Sequence, residues 1–342
     1  MLEKITINDI ARELKITAAT VSRALNNHPA ISEETKQKVL EVAGRLNYKA
    51  NKIASSLRSG KSHAIGVLIP SAEINFFGSV IHGIEYMANR HGYNVLIYQT
   101  NESRDYEVKG IETFLSARVD GILISIAKET TDYSHLIEIK KRGVPIVFFD
   151  RAVDDLGISS VVINDYKGGF MATEHLIKQG YKRIAYISGP QHIKVFNDRL
   201  KGYMGALQAN KIKVDFDLIY NGDVSIEAGK CAIRYFLEKQ NKPDAVFAVE
   251  DFTALGAIKE LKERGIKIPE EFGVVGFANE LFGEHITPSL TTIDQQTVNM
   301  GKESFKLLLD LIVHKNNRES VPKKIILDAI PVFRNSSLRK DN

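Results

Sequence analysis

Along residues 1–48 the apolar positions fall at helical spacing. Ile7, Ile10, Ala11 and Leu14 recur at i, i+3, i+4 and i+7, and Thr6 precedes them as a cap. Lys15 and Ile16 break the stripe. Thr17 then caps a second short helix with Val21, Ala24 and Leu25 on its inner side. Asn26, Asn27, His28 and Pro29 form a loop. Ser32-Glu33-Glu34 opens a third helix, expected over 35–46, with Val39, Leu40, Val42, Ala43 and Leu46 as its apolar residues. The pattern predicts a three-helix unit with a small core.

From Ala64 the texture changes. Short apolar runs recur at 64–70, 93–98, 119–126, 144–150, 160–163, 183–188, 244–249 and 273–277. Between them lie amphipathic stretches, among them 80–91, 106–117, 168–179 and 253–264. Continuous apolar strands alternating with helices predict parallel sheets covered on both faces. Eight or more strands over so long a segment point to two doubly wound halves rather than one. No solenoid-type repeat is present.

A length of 342 residues fits two or three domains, and 44% hydrophobic with 26% charged residues is the balance of a globular protein. The single cysteine, Cys231, leaves no internal disulfide and no cysteine-rich metal site, as in a reducing compartment. It lies in a helical pattern with Ala228, Ala232, Ile233 and Phe236, which favours packing over a nucleophile. No run of 18 apolar residues occurs, and MLEKITINDIARELK lacks the apolar stretch of a secretory signal. The expectation is a cytoplasmic protein. The net charge of +4 is unevenly spread: residues 1–63 carry +5 and the remaining 279 carry −1. A basic head on a near-neutral body points to nucleic acid; a solvated basic face is the plainer alternative.

Two short helices joined at Lys15-Ile16 form a helix-turn-helix pattern. The second helix leaves Thr17, Ala18, Ala19, Ser22 and Arg23 on its outer side, with its positive dipole end forward. Such a helix fits a major groove, and its first residues meet base edges. Arg23 can hold guanine bidentately, while Ala18 and Ala19 offer apolar contact to a thymine methyl. Thr6, Ser22 and Thr35 are candidate phosphate donors. A small helical oligomerisation unit with a surface arginine fits the same pattern. The next stretch, YKANKIASSLRSGKSH, allows two helical turns over 52–59, with Asn51 as cap. So short a helix is marginal alone. It makes sense if two copies pair and Leu57 wedges into a minor-groove step; a basic linker is the alternative.

Across nearly the whole chain the sequence resembles the LacI/GalR family of bacterial transcription regulators. The resemblance is carried by TINDIARELKITAATVSRALN, ISEETKQKVLEVAGRLNYKAN and IASSLRSGKS. It continues in NFF, FFDR, VVINDYKGG, DRLKGY, EDFTALGA, VVGF, PSLTTI and IPVFRNSS. It implies a helix-turn-helix domain over 1–48, a hinge helix over 49–62 and an effector-binding and dimerisation domain over 63–342. That last domain resembles type I periplasmic binding proteins. Its lobes are expected at 63–163 with 292–324, and at 164–291 with 325–342, the chain crossing near Ile163, Thr292 and Ile325. The implied DNA contacts are Thr6, Thr17, Ala18, Ala19, Thr20, Ser22, Arg23 and Asn26 in the head. In the hinge they are Asn51, Ala54, Leu57 and Arg58, with Leu57 intercalating at a central CpG step. Ala50 stands where the family usually has proline, which frees the unbound linker.

Ligands of open α/β sheets sit beyond the carboxyl ends of the strands. Those ends supply Ser71, Asn75, Phe76, Phe77, Asp150, Glu250, Asp251 and Asn279, and the loop and helix after RIAYISGP supply Arg199, as the expected effector site. A phenylalanine can stack on a sugar ring, and the charged groups can fix hydroxyls. Sugar-binding members often carry Asp where this chain has Ala278, and Asn where it has Glu250. Glu250 is therefore expected to replace the missing carboxylate.

The chain lacks G-x-G-x-x-G opening a helix after a strand, G-x-x-x-x-G-K-[ST], H-E-x-x-H and G-x-S-x-G. His175, His192 and His285 have no evident ligand partners in the sequence. Neither an enzyme, a cofactor nor a metal is expected. The resulting expectation is a homodimeric repressor on pseudo-palindromic operator DNA, controlled by a carbohydrate or acidic sugar between the lobes. Two alternatives are a catabolite regulator whose co-repressor is a phosphorylated carrier protein, and a solute-binding protein.

Overall fold

A computed structural model of the chain describes residues 5–48, 61–314 and 321–339. The chain divides into two units, Met1–Ser62 and His63–Asn342. In the first, α1 (Ile7–Leu14), α2 (Ala18–Leu25) and α3 (Glu33–Arg45) enclose Ile10, Val21 and Val39, all fully buried. Thr6 closes a capping box with Asp9, and Thr17 and Ser32 accept the Thr20 and Thr35 amides. The third helix starts two residues before the expected Thr35, because Ser32 caps it and Glu33 and Glu34 favour its first turn. Leu40, in its apolar set, is 54% exposed. The turn after α1 needs Lys15 in the left-handed region at φ 52°, and Ile16 N–H then reaches Ala11 C=O at 3.1 Å.

In the second unit, two parallel sheets each stack against helices. The first is built from β1 (Ala64–Ile69), β2 (Asn94–Gln99), β3 (Gly121–Ile124), β4 (Ile146–Phe149) and β5 (Ser159–Ile163). The second holds β6 (Ile184–Ser188), β7 (Ile219–Asn221), β8 (Ala245–Ala248) and β9 (Gly273–Val275), in the order β7-β6-β8-β9. Successive residues of β4, Phe148 and Phe149, are both fully buried, so each face of that sheet is covered. Each such ring contributes about 1.5–3 kcal/mol of burial. β7 escaped the sequence pattern because it is short and only partly buried.

Two strands, β10 (Thr292–Asp294) and β12 (Ile330–Val332), form a separate antiparallel pair in the crossing segments. Between them β11 (Lys324–Leu327) completes the first sheet, in the order β11-β5-β4-β3-β1-β2. Ile325 pairs with Val161 inside that sheet, so Ile325 itself belongs to the first lobe and the crossing expected near it comes slightly later. A crossing cannot interrupt a strand in mid-ladder, and it falls after Leu327. Among the described residues, no helix is long and apolar enough to cross a membrane.

The helices that matter for the site begin earlier than their apolar stripes. They are Asn75–Arg90, Asp165–Lys178, Lys194–Ala209 and Asp251–Glu263. Three of the stripes opened at Val80, Gly168 and Thr253; the turns before them lie beyond the strand ends and carry polar or cleft residues. The Asp165–Lys178 and Lys194–Ala209 helices cross with backbone contact. A Cβ on Gly202 would lie 2.2 Å from Tyr166 O, and one on Gly169 2.4 Å from Arg199 O.

Candidate DNA-reading face and effector cleft

In the head, Thr17, Ala19, Arg23 and Asn26 are exposed on α2, and Thr20 and Ser22 are half-exposed. Among the described residues Arg12 pairs with Asp9, Lys36 with Glu33, Lys38 with Glu34 and Arg45 with Glu13. Arg23 and Lys15 have no ion pair among those residues. These two cations are available to an outside anion, and Arg23 offers five N–H donors in a planar fork. Among the described residues the unit therefore presents a short helix with an arginine in its last turn and a lysine at the turn before it, neither in an ion pair. That is the geometry of a groove-reading helix.

The larger unit holds a cavity of about 320 Å³ between its two lobes. Ile74, Phe76, Phe77, Lys128, Asp150 and Arg151 line it from the first lobe; Phe196, Arg199, Ile226, Glu250 and Phe252 from the second; Gln295 from a crossing segment. Arg199 is 3% exposed and fixed on three sides. Its Nε donates to Asp165 Oδ1 at 2.8 Å, Nη1 to Val249 C=O at 2.9 Å and Nη2 to Gln295 Oε1 at 3.1 Å. Its guanidinium also lies 3.7 Å from the Phe277 ring centroid. Three of five donors are thus used, and two remain for a ligand.

Asp150 sits directly after β4 in the left-handed region at φ 58°. Burial raises its pKa, with Arg151 acting against the rise. Desolvation likewise lifts Asp165 to about 6, against the pull of Arg199. Glu250 has the largest displacement of the cleft carboxyls for which a value is resolved. Desolvation, and then repulsion from Asp251 and Glu280, pushes it up to about 8. At neutral pH it is mostly a neutral carboxyl, a donor as well as an acceptor. Opposite it, Glu280 of the second lobe accepts the Phe76 amide of the first at 3.2 Å.

The family described as periplasmic binding proteins and sugar binding domain of LacI family matches residues 62–333, and that of bacterial regulatory proteins, lacI family, matches residues 6–51. The chain belongs to the lacI family. This lacI-family protein is 32% identical to catabolite control protein A of Priestia megaterium, over 94% of this chain and 96% of the other. It is 34% identical to the HTH-type transcriptional repressor CytR of Escherichia coli strain K12, over 89% of each. Among solved structures, the lac repressor dimer bound to operator and the anti-inducer ONPF superposes with a TM-score of 0.87 at 26% identity, covering 98% of this chain and 100% of that one. The relatives named so are transcriptional regulators, and the fold is that of the lac repressor.

In this lacI-family protein several expected residues stand elsewhere. Ala18, expected on the outer side, packs partly into the head core because it shares a face with Val21 and Leu25. Thr6 commits its hydroxyl hydrogen to Asp9 Oδ2 at 2.8 Å, so donation to a phosphate requires opening the capping box. Asn26 turns its Nδ2 back to Ser22 C=O at 2.7 Å. The expected hinge residues Asn51, Ala54, Leu57 and Arg58 lie outside the described residues.

Of the expected effector residues, Phe76, Phe77, Asp150, Arg199 and Glu250 line the cavity, and Ser71, Asn75, Asp251 and Asn279 do not. Ser71 Oγ accepts the Glu73 amide at 3.2 Å, and Asn75 bonds to Glu280. Asp251 is fully buried, accepting the Thr292 hydroxyl and the Glu280 amide, both at 2.7 Å. Asn279 bridges Asp294 and Arg334, each at 2.9 Å. All four have the polar character of ligand contacts and spend it on the frame. Lys128, Phe196, Ile226, Phe252 and Gln295 line the cavity without having been singled out. Phe252 was detectable, one place beyond Asp251; Gln295 carried no signal.

The remaining candidates behave as structure. Cys231 is half-buried at a helix edge rather than in the core, with Sγ 3.7 Å from Glu227. His175 is stacked on Phe333 and bonded to Ser337 Oγ at 2.8 Å. His192 Nε2 lies 2.7 Å from Lys128 C=O across the lobes.

Proposed function

We propose that this protein represses transcription as a homodimer on pseudo-palindromic operator DNA, and that a carbohydrate-sized effector in the inter-lobe cleft changes its grip. Acting on chromosomal DNA, it works in the cytoplasm. The observation that carries the reading is Arg199. It is fixed by a first-turn carboxylate, a strand-end carbonyl and a crossing-segment amide, and it keeps donors for a ligand at the seam of both lobes. A ligand gripped there prefers one lobe geometry over another, which is the differential affinity that allostery needs. A cavity of about 320 Å³ with a fixed polar wall favours a small molecule over a carrier protein as the controlling partner.

The test is fluorescence anisotropy of the full-length protein on duplex from its own upstream region. Effectors come from a thermal-shift screen of mono- and oligosaccharides, uronates and nucleobases. Saturable, sequence-dependent binding that shifts on adding a cleft ligand is expected. Equal affinity for scrambled duplex would refute the regulator reading, and a bound ligand that leaves operator affinity unchanged would refute control through the cleft.

A further inference from the structure

Three cations line the cleft, Lys128, Arg151 and Arg199, and at first sight they invite an anion. Each is already matched. Arg151 Nη1 donates to Glu102 Oε2 at 2.7 Å, and its Nε lies 3.9 Å from Asp150. Lys128 gives its amide to the same Glu102 oxygen at 2.9 Å, and its Nζ lies 3.8 Å from the other. Arg199 spends Nε on Asp165 at 2.8 Å. Neither Glu102 nor Asp165 lines the cavity; both stand behind it. The wall itself adds the carboxylates Glu73 and Asp150, with Glu250 as a mostly neutral carboxyl. An anionic ligand meets N–H donors there but no surplus positive charge.

The backing is built in. Asn101 and Glu102 are consecutive non-glycine residues in the left-handed region, at φ 51° and 63°. Such backbone persists only where its surroundings enforce it, and here it sets Glu102 against Lys128 and Arg151. Asp165 is 6% exposed and leaves the first turn of its helix pointed at Arg199.

We infer that Glu102 and Asp165 set the charge selectivity of the cleft: by offsetting two of its three positive charges from behind, with Asp150 beside Arg151 as the third carboxylate, they make it accept an uncharged effector and reject uronates and phosphate or sulfate esters. The inference rests on the effector reading of the cleft. Rejection by charge balance discriminates between ligands of one shape, which apolar contact alone does poorly.

The test is isothermal titration calorimetry on the full-length protein with glucose, glucuronate and inorganic sulfate. Wild type is expected to bind neither anion measurably. Glu102→Gln keeps an acceptor for Arg151 and Lys128 but frees a charge, and it should gain at least about tenfold in affinity for glucuronate or sulfate, about 1.4 kcal/mol. Asp165→Asn makes the same change behind Arg199 and serves if the first variant melts early. Wild type preferring glucuronate to glucose overturns the inference, as does a folded variant with no gain in anion affinity. Neither readout involves DNA, so the operator titration judges the regulator reading separately.

Discussion

At the scale of single residues, the sequence exposed chemistry better than it exposed roles. Asp150 stands directly after a strand, Glu250 at a helix N-cap and Arg199 in the second turn of a helix, and all three line the cavity. Asp251 looked equivalent to Glu250, yet one residue along the chain it is fully buried and holds the Thr292 hydroxyl and the Glu280 amide. Side-chain direction at a helix start separates the two, and composition cannot report it. Glu250 also makes a pH prediction. Its pKa rises from the ordinary 4.5 to about 8 in the folded state. Between those values the folded chain holds more protons than the unfolded one, so this group lowers stability progressively as pH climbs through that window. Glu250→Gln removes the ionisation. The variant should gain melting temperature over wild type at pH 8 and show little difference at pH 5, by thermal denaturation at both values. An equal offset at the two pH values would mean that Glu250 ionises freely in the fold.

At the scale of elements, existence was legible and boundaries were not. Apolar runs located the buried strands because parallel strands covered on both faces leave little room for polar residues. Helix starts were read late where the first turn carries polar or cleft residues, as at Asn75, Asp165 and Asp251. The stripe reports apolar packing, and buried polar residues such as Asp165 and Asp251 open their helices without extending it. The glycines of VVINDYKGG and DRLKGY belong to this scale. Gly169 and Gly202 let two helices touch, which brings Asp165 on one within 2.8 Å of Arg199 on the other. Gly202→Ala puts a methyl 2.2 Å from Tyr166 O, which is backbone and cannot swing aside. The helices must separate, at a cost of about 1–3 kcal/mol. Urea denaturation should show that loss, and calorimetry should show weaker effector binding because Arg199 leaves its seat. Unchanged stability would mean that the crossing has slack.

At the scale of the whole molecule, the charge division assigns two kinds of electrostatics. The head carries a surplus of +5, and among the described residues its exposed Arg23 and Lys15 lack ion-pair partners; the body matches its cleft cations internally. Exposed charges release counterions when they meet phosphates, so log K for operator falls with log salt at a slope of about −0.9 per contact. Internally matched cations release none, so affinity for an uncharged effector should barely move over the same salt range. Arg23 separates two terms within the head. As a base-reading fork it contributes about 1–3 kcal/mol of discrimination, whereas a phosphate contact contributes slope. Arg23→Ala is therefore expected to bring operator affinity towards that for scrambled duplex while leaving the salt slope nearly unchanged. Anisotropy titrations of both duplexes from 50 to 200 mM salt, on the order of the range over which such slopes are read, measure the two quantities together. If the slope drops by about one contact and discrimination survives, Arg23 holds a phosphate, and the base reading must come from elsewhere on the exposed face of α2.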